Sequence, residues 1–217
     1  MKLEGLKINY LGDSITEGCG TTLRFDEIIT AATGGVGRNY GIGGTRIAAN
    51  LRPTEINPKF DRYFASRIEE MDPDADVVVV FGGTNDFGHG DAPFGEMSDR
   101  TYYTFYGALH LTLIELLKKY PLATILYIMP LHRLNDADVR GDGVKPEGSY
   151  APLKEYIRII REVCEYYSIP VLDLWSGSGI QPAVDIMRET YMPDGLHPNE
   201  NGHKVIASRL MGLLERL

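Results

Sequence analysis

Residues 76–86 read DVVVVFGGTND. Four consecutive valines and a phenylalanine are β-branched and aromatic with no polar residue among them, the pattern of a strand buried on both faces. The run stops at Gly82-Gly83, and Thr84, Asn85 and Asp86 then place polar side chains just past the strand's carboxyl end. Weaker versions of the same phrase recur along the chain. Residues 6–11 (LKINYL) end at Gly12-Asp13-Ser14, and residues 36–40 end at GIGGTR. Residues 123–129 (ATILYIM) end at Pro130, and residues 169–174 (IPVLDL) run into Trp175-Ser176-Gly177.

Between these runs the apolar residues fall at helical spacing. Residues 59–71 carry Phe60, Tyr63, Phe64, Ile68 and Met71, and residues 103–120 carry Leu109, Leu113, Leu116 and Leu117. Residues 151–167 carry Leu153, Ile157, Ile160 and Cys164, and residues 199–217 carry Val205, Ile206, Leu210, Leu213 and Leu214. Strands alternating with helices predict an α/β fold: a three-layer α/β/α sandwich on a five-stranded parallel sheet with right-handed crossovers. The length, 217 residues, suits one domain spanning 1–217. Open parallel sheets bind ligands beyond the carboxyl ends of their strands. The polar and glycine-rich segments after strands one, two, three and five are therefore expected on one rim.

Composition narrows the function. With 43% hydrophobic and 24% charged residues the chain is an ordinary globular one. Its 22 basic against 30 acidic residues give a net charge of −8, the wrong sign for nucleic acid or an anionic membrane. Lys2, Glu4 and Lys7 interrupt any signal-peptide core, and the aliphatic run 77–81 is far too short to span a bilayer. A cytoplasmic location is expected. Cys19 and Cys164 lack a CxxC partner and read as buried or idle thiols. No two histidines stand at metal-ligand spacing and neither cysteine has a histidine near it in sequence, so no metal and no cofactor is expected.

Ser14 lies in GDSIT, directly after the first strand and where a helix begins. One reading is a plain helix cap; the other is a nucleophile on the rim. The segment DGLHPN sets Asp194 three residues before His197 in a turn leading into the last helix. A carboxylate beside an imidazole fixes its tautomer and stabilises the imidazolium formed when the ring takes a proton from serine, which favours the catalytic reading of Ser14. Acyl transfer also needs donors aimed at the developing oxyanion. Gly44 offers a backbone N–H and Asn85 a side-chain amide, although turn geometry alone would account for either. Asp13 and Asp86 read as loop braces. His89 and His132, after strands three and four, are candidates to line the substrate pocket. His203 is expected at the surface or as a cap, and His110 as a bystander beside an apolar stripe.

At this point the chain resembles the GDSL/SGNH hydrolase superfamily, whose motifs supply serine, glycine, asparagine and histidine in that order. GDSIT is similar to the first, NYGIGGTR to the second, GTND to the third and DGLHP to the last, spanning residues 12–198. The resemblance implies a flavodoxin-like strand order 2-1-3-4-5 and a triad of Ser14, His197 and Asp194. It also implies an oxyanion hole of the Ser14 N–H, the Gly44 N–H (with Gly43 the neighbouring choice) and Asn85. The GxSxG elbow of the α/β-hydrolases is absent.

The substrate is expected to be a small-molecule ester. Two segments, 87–99 and 132–149, interrupt the core pattern and should wall the pocket. Arg133, Asn135, Asp136, Asp138 and Arg140 make the second one polar, suiting a polar alcohol. By analogy with the family this indicates short-acyl, above all acetyl, esters of carbohydrates, with lysophospholipase, thioesterase or acyltransferase chemistry as alternatives on the same residues. From other classes, Asp13, Asp86 and Asp173 would suit a metal-dependent phosphate-handling rim, and a non-catalytic binding module would need none of these groups.

Overall fold

The computed structural model describes residues 1–54, 57–139 and 151–217. Its five strands are β1 (Lys7–Gly12), β2 (Val36–Gly41), β3 (Val77–Phe81), β4 (Thr124–Ile128) and β5 (Val171–Leu172). All pair in parallel, in the order β2-β1-β3-β4-β5. The valine run is the centre of this sheet: Val80 lies between Leu11 of β1 and Tyr127 of β4.

Alternation along β3 divides the core in two. Val78 and Val80 face a cluster with Leu109, Leu113, Ile157 and Ile160, from helices α4 (Phe105–Lys119) and α5 (Leu153–Tyr166). Val77, Val79 and Phe81 face Phe25, Ile29, Ile206 and Leu210, from α2 (Phe25–Thr33) and α8 (Glu200–Leu214). Burying each such side chain is worth about 1.5–3 kcal/mol, against roughly 1–2 kcal/mol for fixing a residue's backbone. The remaining helices are short: α1 (Ser14–Glu17), α3 (Thr84–His89), α6 (Leu174–Gly177) and α7 (Asp185–Tyr191). Among the described residues no helix is long and apolar enough to cross a membrane.

Residues 59–71 depart from the expected helix. They form two 3-10 segments, Pro58–Asp61 and Phe64–Glu70. Side chains from elsewhere take carbonyls there: Arg46 donates to Phe60 O at 2.7 Å, and Lys119 Nζ to Ile68 O and Glu69 O at 2.8 Å. The apolar residues that suggested a helix still bury, with Phe64 and Ile68 almost fully enclosed. Strand β5 is shorter than its apolar run, pairing with β4 only through Val171 and Leu172. Cys164 is buried and Cys19 exposed, both as free thiols, and burial pushes the Cys164 thiol up to about 12.

His203 is not at the surface. It is fully buried, stacks on Phe25 with ring centroids 5.7 Å apart, and accepts the Phe25 N–H at 3.1 Å through Nδ1. It therefore serves the amino end of α2, a cap supplied from another helix. Burial, with Arg24 adding to it, pushes its pKa down to about 4. Between the ordinary value of about 6.5 and this one, the unfolded chain binds the proton and the folded chain does not. This contribution to stability is thus complete above pH 6.5 and is lost as pH falls towards 4, by roughly 3 kcal/mol at 1.36 kcal/mol per unit. Urea unfolding at pH 7 and pH 4.5 should show the wild type losing more stability on acidification than His203→Asn, which keeps an acceptor without a titrating ring.

Candidate active site

The serine stands where the sheet ends. Asp13, not Ser14, caps α1, its Oδ1 accepting the Ile15 N–H at 3.0 Å. The Ser14 hydroxyl is left for another partner, and His197 Nε2 lies 3.0 Å from Ser14 Oγ. His197 occupies the turn before α8, whose cap is Asn199. Asp194 organises that turn: Oδ1 accepts the N–H groups of Leu196 at 2.9 Å and His197 at 2.7 Å, and Oδ2 lies 2.7 Å from His197 Nδ1. A carboxylate can only accept, so Nδ1 carries the proton and Nε2 accepts from serine. Partial burial raises the Asp194 pKa, but the bonds from His197 and Leu196 outweigh it and hold the carboxyl below its usual range.

The loop after β2 is fixed from several directions. Glu17, one turn beyond Ser14, accepts the Gly43 N–H at 2.8 Å through Oε2, so the Gly43 donor is already committed. Gly44 follows with φ +75°, and a Cβ on it would stand 2.8 Å from the Phe60 ring. Its N–H, like that of Ser14, has no acceptor among the described residues. Asn85, in the first turn of α3, spends one amide hydrogen on Thr45 O at 3.0 Å, which leaves the other. Asp86 accepts the Ile47 and Ala48 N–H groups, each at 3.0 Å, tying this loop to α3. Asp13 is buried beneath; burial, reinforced by Asp86, pushes it up to about 7 against the Ile15 N–H bond and the nearby Arg67.

A cavity of about 650 Å³ opens beside Gly44, with Arg46, Asn50, Arg52, Phe60, His89 and Asp91 among its walls. His89 Nδ1 lies 2.8 Å from Arg46 Nη1; guanidinium only donates, so Nδ1 accepts and the ring's proton is on Nε2. His132 stands elsewhere, stacked on Trp175 at 3.7 Å between centroids, with Nδ1 2.6 Å from Asp136. Of the two wall segments, 87–99 supplies His89 and Asp91 to the cavity, with its first residues, Phe87–His89, belonging to α3. In the other, Leu134 N–H donates to Gly195 O at 2.8 Å and braces the Asp194–His197 turn; residues 140–149, including Arg140, lie outside the described residues. Asp173 is engaged with Arg161 and Ser176. Among the described residues no three His, Cys, Asp or Glu side chains converge as a metal site requires.

The profile of the GDSL-like lipase/acylhydrolase family matches residues 10–205, which include all of these groups. The chain belongs to that family. A crystal structure of a Lactobacillus plantarum protein is 31% identical, with a TM-score of 0.83 and 98% of each chain covered. A possible lipase from Chitinophaga pinensis is 20% identical (TM-score 0.68; 97% of this chain and 98% of that one). An acetyl xylan esterase is 18% identical (TM-score 0.61; 96% of this chain and 100% of that one). At 20% and 18% identity the last two show a common fold. No curated protein matches the chain significantly.

In this member of the GDSL-like lipase/acylhydrolase family the groups that the sequence did not reveal are the supports. Glu17, Thr45 and Arg46 act on backbone or on other side chains, and nothing in their spacing distinguishes them from surface residues. Gly44 makes the most direct demand. A side chain there meets both Phe60 and a left-handed backbone, which costs about 1–2 kcal/mol before any clash. Gly44→Ala should lower the melting temperature by roughly 2–8 °C, and unchanged melting would remove the constraint.

Proposed function

We propose that the chain is a serine ester hydrolase acting through Ser14, His197 and Asp194. The observation that carries this is the single imidazole standing 3.0 Å from Ser14 Oγ on one side and 2.7 Å from the Asp194 carboxylate on the other. His197 takes the Ser14 proton as Oγ attacks the ester carbonyl. Asp194 keeps the ring in the tautomer that can accept it and stabilises the imidazolium. The negative charge on the carbonyl oxygen falls to three donors, the Ser14 N–H, the Gly44 N–H and the uncommitted hydrogen of Asn85. With Gly43 bonded to Glu17, Gly44 is the glycine assigned to this role. His197 returns its proton to the departing alcohol, and a water activated by the same ring then releases the acyl group from Ser14.

For the substrate we propose a short-acyl ester, acetyl above all, of a hydroxyl-rich alcohol such as a carbohydrate. Arg46, Asn50, Arg52, His89 and Asp91 give the neighbouring cavity a polar wall, and one protein of similar fold is an acetyl xylan esterase. Its position in the wall of that cavity supports His89 as a substrate-side residue, whereas His132, stacked on Trp175, is not among the residues of that wall. Acyl transfer to an alcohol would use the same groups with water excluded.

Hydrolysis of p-nitrophenyl acetate, butyrate and octanoate, with chelator present, tests the reading. Acetate should be turned over fastest, and Ser14→Ala should abolish the activity. Octanoate turned over fastest would favour the lipase or thioesterase alternative, and an equally active Ser14→Ala would end the serine mechanism. Losing one oxyanion donor costs about 2.7–4 kcal/mol of barrier, so Asn85→Ala should be roughly 100- to 1,000-fold slower. Because the Asp194 carboxyl is held below its usual range, it stays ionised as pH drops through the range where an imidazole protonates. The acid limb of log kcat/KM should therefore fall with a slope of one, with no second proton taken up by Asp194. A slope of two would show a second group titrating with it.

A further inference from the structure

We infer that Arg67 is a positioning residue of this site: its guanidinium locks together the chain segments that carry Ser14, Gly44 and Asn85. The inference rests on the esterase reading above. Arg67 is 2% exposed and lies under the rim in the 3-10 segment Phe64–Glu70, above the face of Phe64. Nη1 donates to Tyr40 O at 2.5 Å, and Nη2 donates to Gly12 O and to Thr45 Oγ1, both at 3.1 Å. These acceptors belong to three different pieces of the site. Gly12 ends β1 two residues before Ser14, Tyr40 is near the end of β2, and Thr45 follows Gly44.

The contact with Thr45 extends to Asn85. Thr45 Oγ1 has one hydrogen, which it gives to Ile42 O at 2.7 Å, so towards Arg67 it can only accept. Thr45 is then held at both ends of the turn 42–45, and its carbonyl is the one that accepts from Asn85 Nδ2. One planar cation thus fixes the start of the serine turn, the turn carrying the Gly44 donor and, through a single further bond, the Asn85 amide.

A buried cation is costly, and an apolar side chain of similar size would fill the space with less penalty. What such a side chain lacks is a rigid fork of donors. The β1–β2 ladder ends at the pair Gly12 and Gly41, and Arg67 acts just where strand pairing gives out. Burial lowers its pKa to about 10, which leaves it charged at neutral pH. Its hydrogen bonds go to Tyr40, Gly12 and Thr45 and not to Ser14 Oγ or His197, so its effect on the reaction is through the placement of others.

The test compares Arg67→Lys, Arg67→Met, Thr45→Val and Thr45→Ser with wild type, Ser14→Ala and Asn85→Ala in one p-nitrophenyl acetate assay, with melting followed in parallel. Misplacing donors by about an ångström costs on the order of 100-fold, so Arg67→Lys and Arg67→Met should lose about 10- to 100-fold in kcat with KM changed little. Thr45→Val should lose kcat in the same direction, and Thr45→Ser, which restores the hydroxyl, should recover it. Thr45 variants keep the buried charge and so report even if the Arg67 variants fail to fold. In an Asn85→Ala background the Arg67 or Thr45→Val loss should shrink, because part of what it displaces is already gone. Folded variants with wild-type kcat, or losses that multiply fully with that of Asn85→Ala, would overturn the positioning role. If Ser14→Ala and Asn85→Ala also match the wild type, the esterase reading fails with it; if they lose activity while the Arg67 and Thr45 variants do not, only the role of Arg67 falls.

Discussion

A buried backbone group must be paired, and the carboxyl edge of a parallel sheet is where that rule is hardest to satisfy. The strands stop, their neighbours no longer supply donors and acceptors, and the chain must still pass beneath its own loops. Side chains complete the pairing here. Arg67 takes the carbonyls of Gly12 and Tyr40, Tyr127 donates to Gly82 O at 3.1 Å, Asp86 accepts from Ile47 and Ala48, and Glu17 accepts from Gly43. Among the described residues, the N–H groups of Ser14 and Gly44 are passed over. The same accounting that closes the sheet leaves open two of the donors proposed to hold an oxyanion.

This makes the site a consequence of the sheet rather than an addition to it. β1 and β3 lie side by side at the centre, in register from Ile8 with Val77 to Gly12 with Phe81, so the serine and asparagine turns start level. Gly12 permits the approach: a Cβ there would come within 2.0 Å of Thr16 Oγ1 and 3.0 Å of Phe81 O. The turn that brings His197 arrives from the end of the chain and is held by Leu134 from the loop after β4. Packing of the two cores sets the level of the strand ends from which these turns start.

The strands and the rim were legible in the sequence because each carries a signal in residue type. Valines without polar interruption mark β3, and a glycine or polar break marks each strand's end. The family motifs likewise consist of the residues proposed to act on substrate. The supports carry no such signal. Arg67 lies among Phe64, Ile68 and Met71 in a stretch expected to be helical, yet the segment is 3-10 and the arginine is buried. Glu17 reads as an exposed helical residue, and its role appears only once β2 brings Gly43 across to it. His203 shows the same limit, since a histidine in the first turns of a helix is ordinary until Phe25 and α2 are seen lying over it. Non-local hydrogen bonds from side chain to backbone fix these roles, and no local pattern encodes them.

His197 and His203 stand six residues apart and show what decides whether an imidazole is chemical or structural. His203 is enclosed, has no carboxylate bonded to either nitrogen among the described residues, and accepts one N–H. His197 has an ionised carboxylate on Nδ1, and Asp194 is itself 55% exposed. A buried Asp–His pair would gain a stronger interaction, but on the proposed mechanism the ring accepts a proton from serine, delivers it to an alcohol and later takes one from water. Those steps need a path to solvent and a charge that is tolerated while it lasts. The partly open carboxylate suits that proposal: three hydrogen bonds keep it ionised against the burial it does suffer, and its exposed side stays open to solvent.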